Sequence, residues 1–318
     1  MPTLDRITIY PVKSLDGVDV AEARVLPSGG LEHDRRWQLV DMDGRVLNAK
    51  RSPLVHAIRA EFDLAAGGAG GMSEPVAAQA RGSGANLIHL AIDPAAIEAR
   101  AIPGIERLAS LAAGTFPLVP GPAGPCGWLS EVFGMGVLLL ERAEGGFPDD
   151  REASGPTVIS TATLAEVARW FRFDVNECRR RFRANLELGE CEAFWEDALA
   201  SPARPDLQPS LLDLPPDLLA DPYADLPPPE PREFSIGEVR LKATNACRRC
   251  VVPTRDSRTG RVTEQFRDVF EAWRSKTLPA DVDAAGWSHA YRLAVNTRLE
   301  DPGPARLFAG WQAAVRVC

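Results

Sequence analysis

The first 150 residues are built from short segments in which apolar and polar residues alternate, separated by glycine and proline. Examples are RITIYPV, VHAIRAEFDL and RWQLVDMDGRVLNA, the last of which carries Asp43-Gly44 between two apolar runs. A period of two is typical of β-strands, and an Asp-Gly pair favours a tight hairpin turn. Short strands broken in this way predict a barrel or a sandwich and argue against a βαβ sheet.

Helical patterns begin near residue 126 and become stronger after residue 160, where TATLAEVARWF places apolar residues on one helix face. Further strand patterns follow, in FSIGEVRLKATNA and YRLAVNTRL. We therefore expect an α+β fold that is mostly β, with peripheral helices. The change of pattern predicts two domains, over residues 1–150 and 151–318.

One segment, residues 201–232, differs from the rest because it holds ten of the 27 prolines of the chain. Proline removes a backbone donor and fixes φ, so this segment is neither a regular helix nor a central strand. Two interpretations stay open: a long surface insertion, or a polyproline segment that binds a partner.

Charge and composition exclude several classes of protein. The formal charge of −8 argues against a general nucleic-acid-binding role. No run of 18 apolar residues is present to cross a membrane, and the N-terminus lacks a secretory pattern. Six cysteines in 318 residues do not form a disulfide framework, which indicates a reducing, cytoplasmic compartment. The four histidines are widely spaced, so catalysis by histidine bases is poorly supported.

The stretch Cys247-Arg248-Arg249-Cys250 is the strongest local signal for chemistry. Structural zinc needs four ligands, and no second CxxC or HxxxH pattern supplies the other two. A redox dithiol is expected at a helix N-terminus, whereas VVPTRD after the pair predicts a strand and then a turn. Neighbouring guanidinium groups favour a thiolate, which is a soft ligand for a transition metal. A core cysteine without a role is the remaining interpretation.

Cations are concentrated at three other places. In CRRRFRANLEL, a strand that begins near residue 181 places Arg181, Arg183 and Asn185 on one face, which suits an anion such as phosphate. The alternative is a solvated face paired with nearby glutamates. Lys13-Ser14 follows the first strand, and Arg35 precedes a strand that contains Trp37. Together these features suit an anionic organic cofactor that carries a metal.

The motifs YPVKSLDG, HDRRWQLVD, RRRFRANLEL, FSIGEVRL, ACRRCVVPTRDSRTG and LAVNTR occur in the order found in MOSC-domain proteins. The chain resembles two-part members of that family, in which an N-terminal MOSC β-barrel domain precedes the MOSC domain, as in the mitochondrial amidoxime-reducing component and its bacterial relatives. The resemblance implies a MOSC β-barrel core with a β-rich N-terminal domain. The Pro-rich segment interrupts the resemblance.

The resemblance also implies the molybdenum cofactor, Mo-molybdopterin, and assigns residues to it. The second cysteine of the family's CxRC motif ligates molybdenum, which falls on Cys250. The cofactor-binding positions fall on residues that the motifs mark: Lys13, Ser14, Arg35, Arg183, Asn185, Arg248 and Arg249. Many relatives have serine at Arg248, and an acidic residue expected before the second domain is replaced here by Glu152 or Ser154.

We therefore expect a molybdenum-dependent reductase of N-hydroxylated compounds, with Cys250 as the catalytic ligand. Because no ferredoxin-type cysteine cluster follows the MOSC pattern, electrons are expected from a separate flavoprotein, ferredoxin or cytochrome. The alternatives are a persulfide carrier or transferase, since MOSC domains also end molybdenum cofactor sulfurases, and a cofactor carrier. A domain for pyridoxal phosphate is not expected.

Overall fold

The computed structural model describes residues 1–64, 85–150, 152–199, 233–278, 289–300 and 305–316. The predicted Pro-rich segment lies outside these residues. The strands are β1 Thr3–Ile9, β2 Val18–Val20, β3 Glu22–Val25, β4 Trp37–Asp41, β5 Ile58–Asp63, β6 Leu87–Ile92, β7 Gly114–Pro117, β8 Val137–Glu141, β9 Val158–Ser160, β10 Leu186–Gly189, β11 Glu233–Ile236, β12 Val239–Arg248, β13 Arg292–Leu299, β14 Ala305–Phe308 and β15 Ala313–Arg316. The α-helices are α1 Pro94–Ala99, α2 Cys126–Phe133, α3 Thr161–Phe171, α4 Val175–Phe182 and α5 Phe266–Thr277.

An eight-stranded sheet with the order β15-β11-β12-β13-β9-β10-β1-β2 organises the fold. β9 and β10 are parallel, and the other pairs are antiparallel. In β1 the alternation predicted from the sequence buries Leu4, Ile7 and Ile9. The predicted α+β, mostly β class is confirmed. Strands from before and after residue 150 share this sheet, and the boundary at that residue stays a prediction.

Three small sheets surround the large one: β3–β14, β4–β8 and β5–β6–β7. The predicted turn at Asp43-Gly44 forms, since the Asp41 amide donates to the Arg45 carbonyl at 2.9 Å and Gly44 has φ +78°. However, the strand that pairs with β4 is β8, more than 90 residues later in the chain. Beyond the turn, Val46 contributes only an isolated bridge to Val40.

The helices after residue 160 build a second apolar core next to the sheet. α3 and α5 contribute Leu164, Val167, Phe266 and Phe270, and Tyr291 packs edge-on against Phe270 with ring centroids 5.2 Å apart. α4 continues to Phe182 and is followed by β10 from Leu186, so the predicted strand near residue 181 is wrong.

Arg181 instead lies on α4, where its Nε donates to Glu177 at 2.6 Å, one helical turn earlier. This i,i+4 ion pair supports the helix against the strand-like alternation of the following residues.

Candidate functional site

The two cysteines of the CxxC motif occupy different environments. Cys247 lies near the end of β12, where its buried thiol donates to Oδ1 of Asn296 at 2.8 Å. Burial raises the pKa of the Cys247 thiol to about 11. Cys250 follows the strand in an irregular segment before a 3-10 turn at Val252–Thr254, and it is partly exposed on the wall of a cleft. The strand predicted at the start of VVPTRD is wrong, because the 3-10 turn occupies that position, and Cys250 is the accessible thiol of the pair.

The cleft has a volume of about 820 Å³ and collects side chains from distant parts of the sequence. All nine residues selected from the sequence line it: Lys13, Ser14, Arg35, Ser154, Arg183, Asn185, Arg248, Arg249 and Cys250. The segment after β1 supplies the first two, and the last five come from the segment after α4 and from the end of β12 with the residues that follow it. The structure therefore brings the predicted residues together, although their contacts differ widely.

Lys13 and Arg35 converge on one carboxylate, that of Asp149. Lys13 Nζ lies 2.9 Å from Oδ1 of Asp149, and Arg35 Nε lies 3.7 Å from its Oδ2. Although desolvation in the cleft opposes it, the charges of Arg35 and Lys13 lower the pKa of Asp149 to about 2. Arg35 also pairs with Asp34, so this part of the cleft carries two guanidinium or ammonium groups and two carboxylates.

Arg183 differs from Lys13 and Arg35 because no described carboxylate lies within ion-pair distance of its guanidinium. Its Cζ lies 4.0 Å from the centre of the Tyr10 ring, and the ring of Tyr10 is also 5.4 Å from Cζ of Arg35. Within the described residues the Arg183 guanidinium has no hydrogen-bond or ion-pair partner. Burial lowers the pKa of Arg183 from its ordinary value. A half-buried guanidinium on a cleft wall, with no carboxylate partner among the described residues, is suited to bind an anionic ligand.

Asn185 connects four parts of the site and is itself buried. Its Nδ2 donates to the Thr8 carbonyl and to Oδ1 of Asp34, each at 3.0 Å. Its Oδ1 accepts from the Thr157 amide at 3.2 Å and from Arg35 Nη1 at 3.3 Å. Because both ends of the amide are engaged, Asn185 fixes the position of the Asp34–Arg35 pair.

Three of the remaining four predicted residues, Arg249, Arg248 and Ser154, have other surroundings. Arg249 donates from Nε and Nη2 to the Leu293 carbonyl, and from Nη1 to the Phe182 carbonyl at 3.0 Å. It thereby joins β13 to the end of α4, which is a structural task beside the cleft. Arg248 is exposed. The Ser154 hydroxyl donates to the Ser28 carbonyl.

Sequence reasoning missed four residues of the site: Tyr10, Asp149, Thr157 and Asn296. Tyr10 and Asn296 belong to the quoted motifs YPVKSLDG and LAVNTR, so the motif order was the available signal. Asp149 lies in FPDDREASG, where the Phe147 amide donates to the Arg35 carbonyl at 2.8 Å. That contact brings a carboxylate to Lys13 and Arg35 from a loop more than 110 residues away in sequence.

The donor set determines which kind of metal group fits. In the part of the chain that is described, no cluster of three or more His, Cys, Asp or Glu side chains is arranged to hold a metal ion. A single accessible thiol among cations fits a metal whose other ligands come from an anionic organic cofactor. None of the described helices is long and apolar enough to span a membrane.

Comparison with known proteins finds one matching family and several related proteins. Residues 1–100 match the family described as the MOSC N-terminal beta barrel domain. The chain is 25% identical to mitochondrial amidoxime reducing component 2 of Rattus norvegicus over 267 residues, which are 81% of this chain and 68% of that protein. It is 26% identical over 213 residues to the molybdenum cofactor sulfurase of Drosophila erecta, covering 61% of this chain and 24% of the sulfurase. The chain thus spans about a quarter of that sulfurase.

Proposed function

The chain is a MOSC-domain protein, and from that premise we propose that it is a molybdenum-cofactor-dependent reductase of N-hydroxylated compounds. Hydroxylamines, amidoximes and N-hydroxylated bases are the expected substrate classes. The observation that carries the proposal is the accessible thiol of Cys250 on the wall of a cleft that also presents Lys13, Arg35 and Arg183. The similarity to an amidoxime reducing component over 81% of the chain supports this activity over others.

In this proposal Cys250 is the protein ligand of molybdenum, and the cleft cations hold the anionic pterin. Arg183 is the cation best prepared for the cofactor phosphate, because it has no carboxylate partner within the described residues. Lys13 and Arg35 reach the same region but share Asp149 between them. Ser14 lines the cleft with its hydroxyl group, Ser154 lines it while donating to the Ser28 carbonyl, and Arg248 adds positive charge beside the metal ligand.

When bound, the cofactor supplies the two-electron reduction of an N–O bond, which with two protons gives the amine and water. The chain contributes binding and orientation. Asn185 holds Arg35 and Asp34 in place, and Arg249 fixes the segment that carries Cys250 against β13. The two electrons come from a separate protein of the flavoprotein, ferredoxin or cytochrome type, and we expect a cytoplasmic location.

Molybdenum and pterin per chain, measured after purification from cofactor-competent cells, test the assignment of the two thiols. Cys250→Ala is expected to lose molybdenum and the reduction of an aromatic amidoxime by a chemical electron donor. Cys247→Ala is the matched control, because its thiol is buried against Asn296 and its loss leaves the metal ligand intact. Retention of molybdenum and activity in Cys250→Ala overturns the proposal.

A persulfide carrier or transferase is the second candidate, and the similarity to molybdenum cofactor sulfurases over 213 residues favours it. It predicts substoichiometric molybdenum and sulfane sulfur on Cys250, detected by release with cyanide. Bound cofactor without any reduction of N–O bonds indicates instead a protein that carries the cofactor. The same purified samples therefore separate the three activities.

A further inference from the structure

A second cavity of about 450 Å³ adjoins the cleft. We call it the inner pocket, and its walls include Tyr10, His56, Arg183 and Arg255. Arg183 and Ser14 line both cavities, so the inner pocket and the cleft share a wall. None of the motifs that marked the cleft included His56.

Positive charge dominates the lining of the inner pocket, which includes seven arginines. Five of them are paired with carboxylates, in the pairs Arg6–Asp19, Arg59–Asp16, Arg179–Glu187, Arg180–Glu177 and Arg181–Glu177. Glu61, which also lines the pocket, has an interaction of its own. Seven minus five leaves two guanidinium groups, those of Arg183 and Arg255, without a carboxylate partner among the described residues.

Arg255 is held by a main-chain carbonyl and has no carboxylate partner in the described part of the chain. Its Nη1 donates to the Ala49 carbonyl at 2.9 Å, and this hydrogen bond anchors the side chain to a residue about 200 positions earlier in the sequence. A carbonyl dipole orients a guanidinium but does not neutralise it. Arg183 is positioned by a cation–π contact with the face of the Tyr10 ring, which also leaves its charge without a carboxylate partner among the described residues.

His56 is the independent sign that a ligand belongs in the inner pocket. Its side chain is 7% exposed, yet Nε2 has no hydrogen-bond partner among the described residues. Burial, together with the charges of Arg255 and Arg59, lowers the pKa of His56 to about 4. The ring is therefore neutral at physiological pH and adds a polar nitrogen without adding charge. A buried polar atom without a partner is costly unless a ligand or water satisfies it.

We propose that the inner pocket binds a phosphate group, which the guanidinium groups of Arg183 and Arg255 and the Nε2–H of His56 contact from different sides. A phosphate offers three terminal oxygens and about two negative charges, which match two unpaired guanidinium groups and one neutral donor. A carboxylate offers only two oxygens and one charge. The phosphate belongs either to the bound cofactor or to a separate phosphorylated ligand, and the chemistry of the pocket is the same for both.

Titration calorimetry with inorganic phosphate at low ionic strength tests the site on cofactor-free protein. Arg255→Gln is expected to weaken phosphate binding by about tenfold or more. Arg255→Lys keeps the charge and is expected to lose less. Arg261→Gln removes an exposed cation from the same segment, outside the inner pocket, and is the matched control, expected to leave the affinity unchanged. Absence of phosphate binding, or equal losses in Arg255→Gln and Arg261→Gln, overturns the proposal.

Protein loaded with cofactor distinguishes the two sources of phosphate. If loading abolishes phosphate binding and Arg255→Gln also lowers the pterin content, the site holds the phosphate of the cofactor. If loaded and cofactor-free protein bind phosphate equally, the site serves a separate phosphorylated ligand. Cys250→Ala is expected to keep its phosphate affinity, so failure of the proposed reductase function leaves this result unaffected.

Discussion

Glu196 is a buried carboxyl group that makes the stability of the fold depend on pH. It lies in a 3-10 turn, Trp195–Leu199, with none of its surface exposed. One oxygen accepts from the Thr163 hydroxyl at 3.0 Å and from the Ser160 amide at 3.3 Å. Oε1 has no partner among the described residues. Burial, together with the charge of Asp197, raises the pKa of Glu196 from its ordinary value of 4.5 to about 7.

Because the folded pKa is raised, the folded chain keeps a proton that the unfolded chain has released between these two values. The free energy of unfolding therefore falls as the pH rises from about 4.5 to about 7. A shift of about 2.5 units corresponds to about 3 kcal/mol in total. Glu196→Gln imitates the protonated carboxyl group, so the variant is expected to lack this pH dependence. The free energy of unfolding of the variant, relative to that of the wild type, is therefore expected to rise by about 2 to 3 kcal/mol as the pH goes from about 5 to about 8.

Urea unfolding at several pH values measures this difference. Glu192→Gln is the matched control, since Glu192 is exposed and lies four residues before Glu196. If the free energies of unfolding of Glu196→Gln and the wild type change with pH in parallel across this range, the prediction is wrong, because Glu196 would then be ionised in the folded protein at no extra cost.

Three further substitutions test packing and hydrogen bonds near the site by the same urea measurement. Asn185→Ala is expected to cost about 2 to 4 kcal/mol, because buried groups lose their partners; a cost below about 1 kcal/mol contradicts its connecting role. Arg274→Met leaves Asp197 unpaired, since Arg274 Nη2 lies 2.6 Å from Oδ1 of Asp197 with both side chains buried, and the expected loss is about 3 to 5 kcal/mol; a neutral effect means that the carboxyl group is protonated. Gly155→Ala is expected to destabilise by about 1 to 3 kcal/mol, because a Cβ there meets Thr297 main-chain atoms at 2.7 Å, whereas the control Gly127→Ala, in α2 with open space around it, is expected to stabilise by up to about 1 kcal/mol.

The sequence predicts the local elements better than their pairing. Alternation of apolar residues predicts β1 because one face of that strand is buried. It does not predict that β4 pairs with β8, since the Asp43-Gly44 turn leads the chain away from β4. Around Arg181 the alternation is misleading, because an i,i+4 ion pair to Glu177 and an apolar contact surface keep the segment helical.

In the candidate site, too, the sequence predicts the residues better than their contacts. The nine residues selected by residue type and motif order all line the cleft, but the sequence does not reveal which of their charges are already neutralised. The pairing of Lys13 with Asp149 depends on a loop far away in sequence. Among the described residues, no such loop brings a carboxylate into ion-pair contact with Arg183. Arg249 lies next to Cys250 in the motif and is predicted to bind the cofactor, yet its guanidinium donates to main-chain carbonyls. Charge balance is a property of the fold and cannot be read from a motif.

Three residues of the cleft adopt a left-handed backbone conformation, which costs stability for any residue other than glycine. Ser14, Arg35 and Arg183 have φ values of 75°, 50° and 55°, in the left-handed region that favours glycine. For other residues this conformation costs about 1 kcal/mol or more. Surrounding hydrogen bonds enforce it, such as the Arg35 amide to the Tyr10 carbonyl at 2.8 Å and the Arg183 amide to the Arg179 carbonyl at 2.9 Å. Glycine would relieve this cost but would remove the hydroxyl and both guanidinium groups from the cleft. These three cleft residues therefore keep their side chains at a backbone cost that glycine would avoid, as the anion binding proposed for the cleft requires.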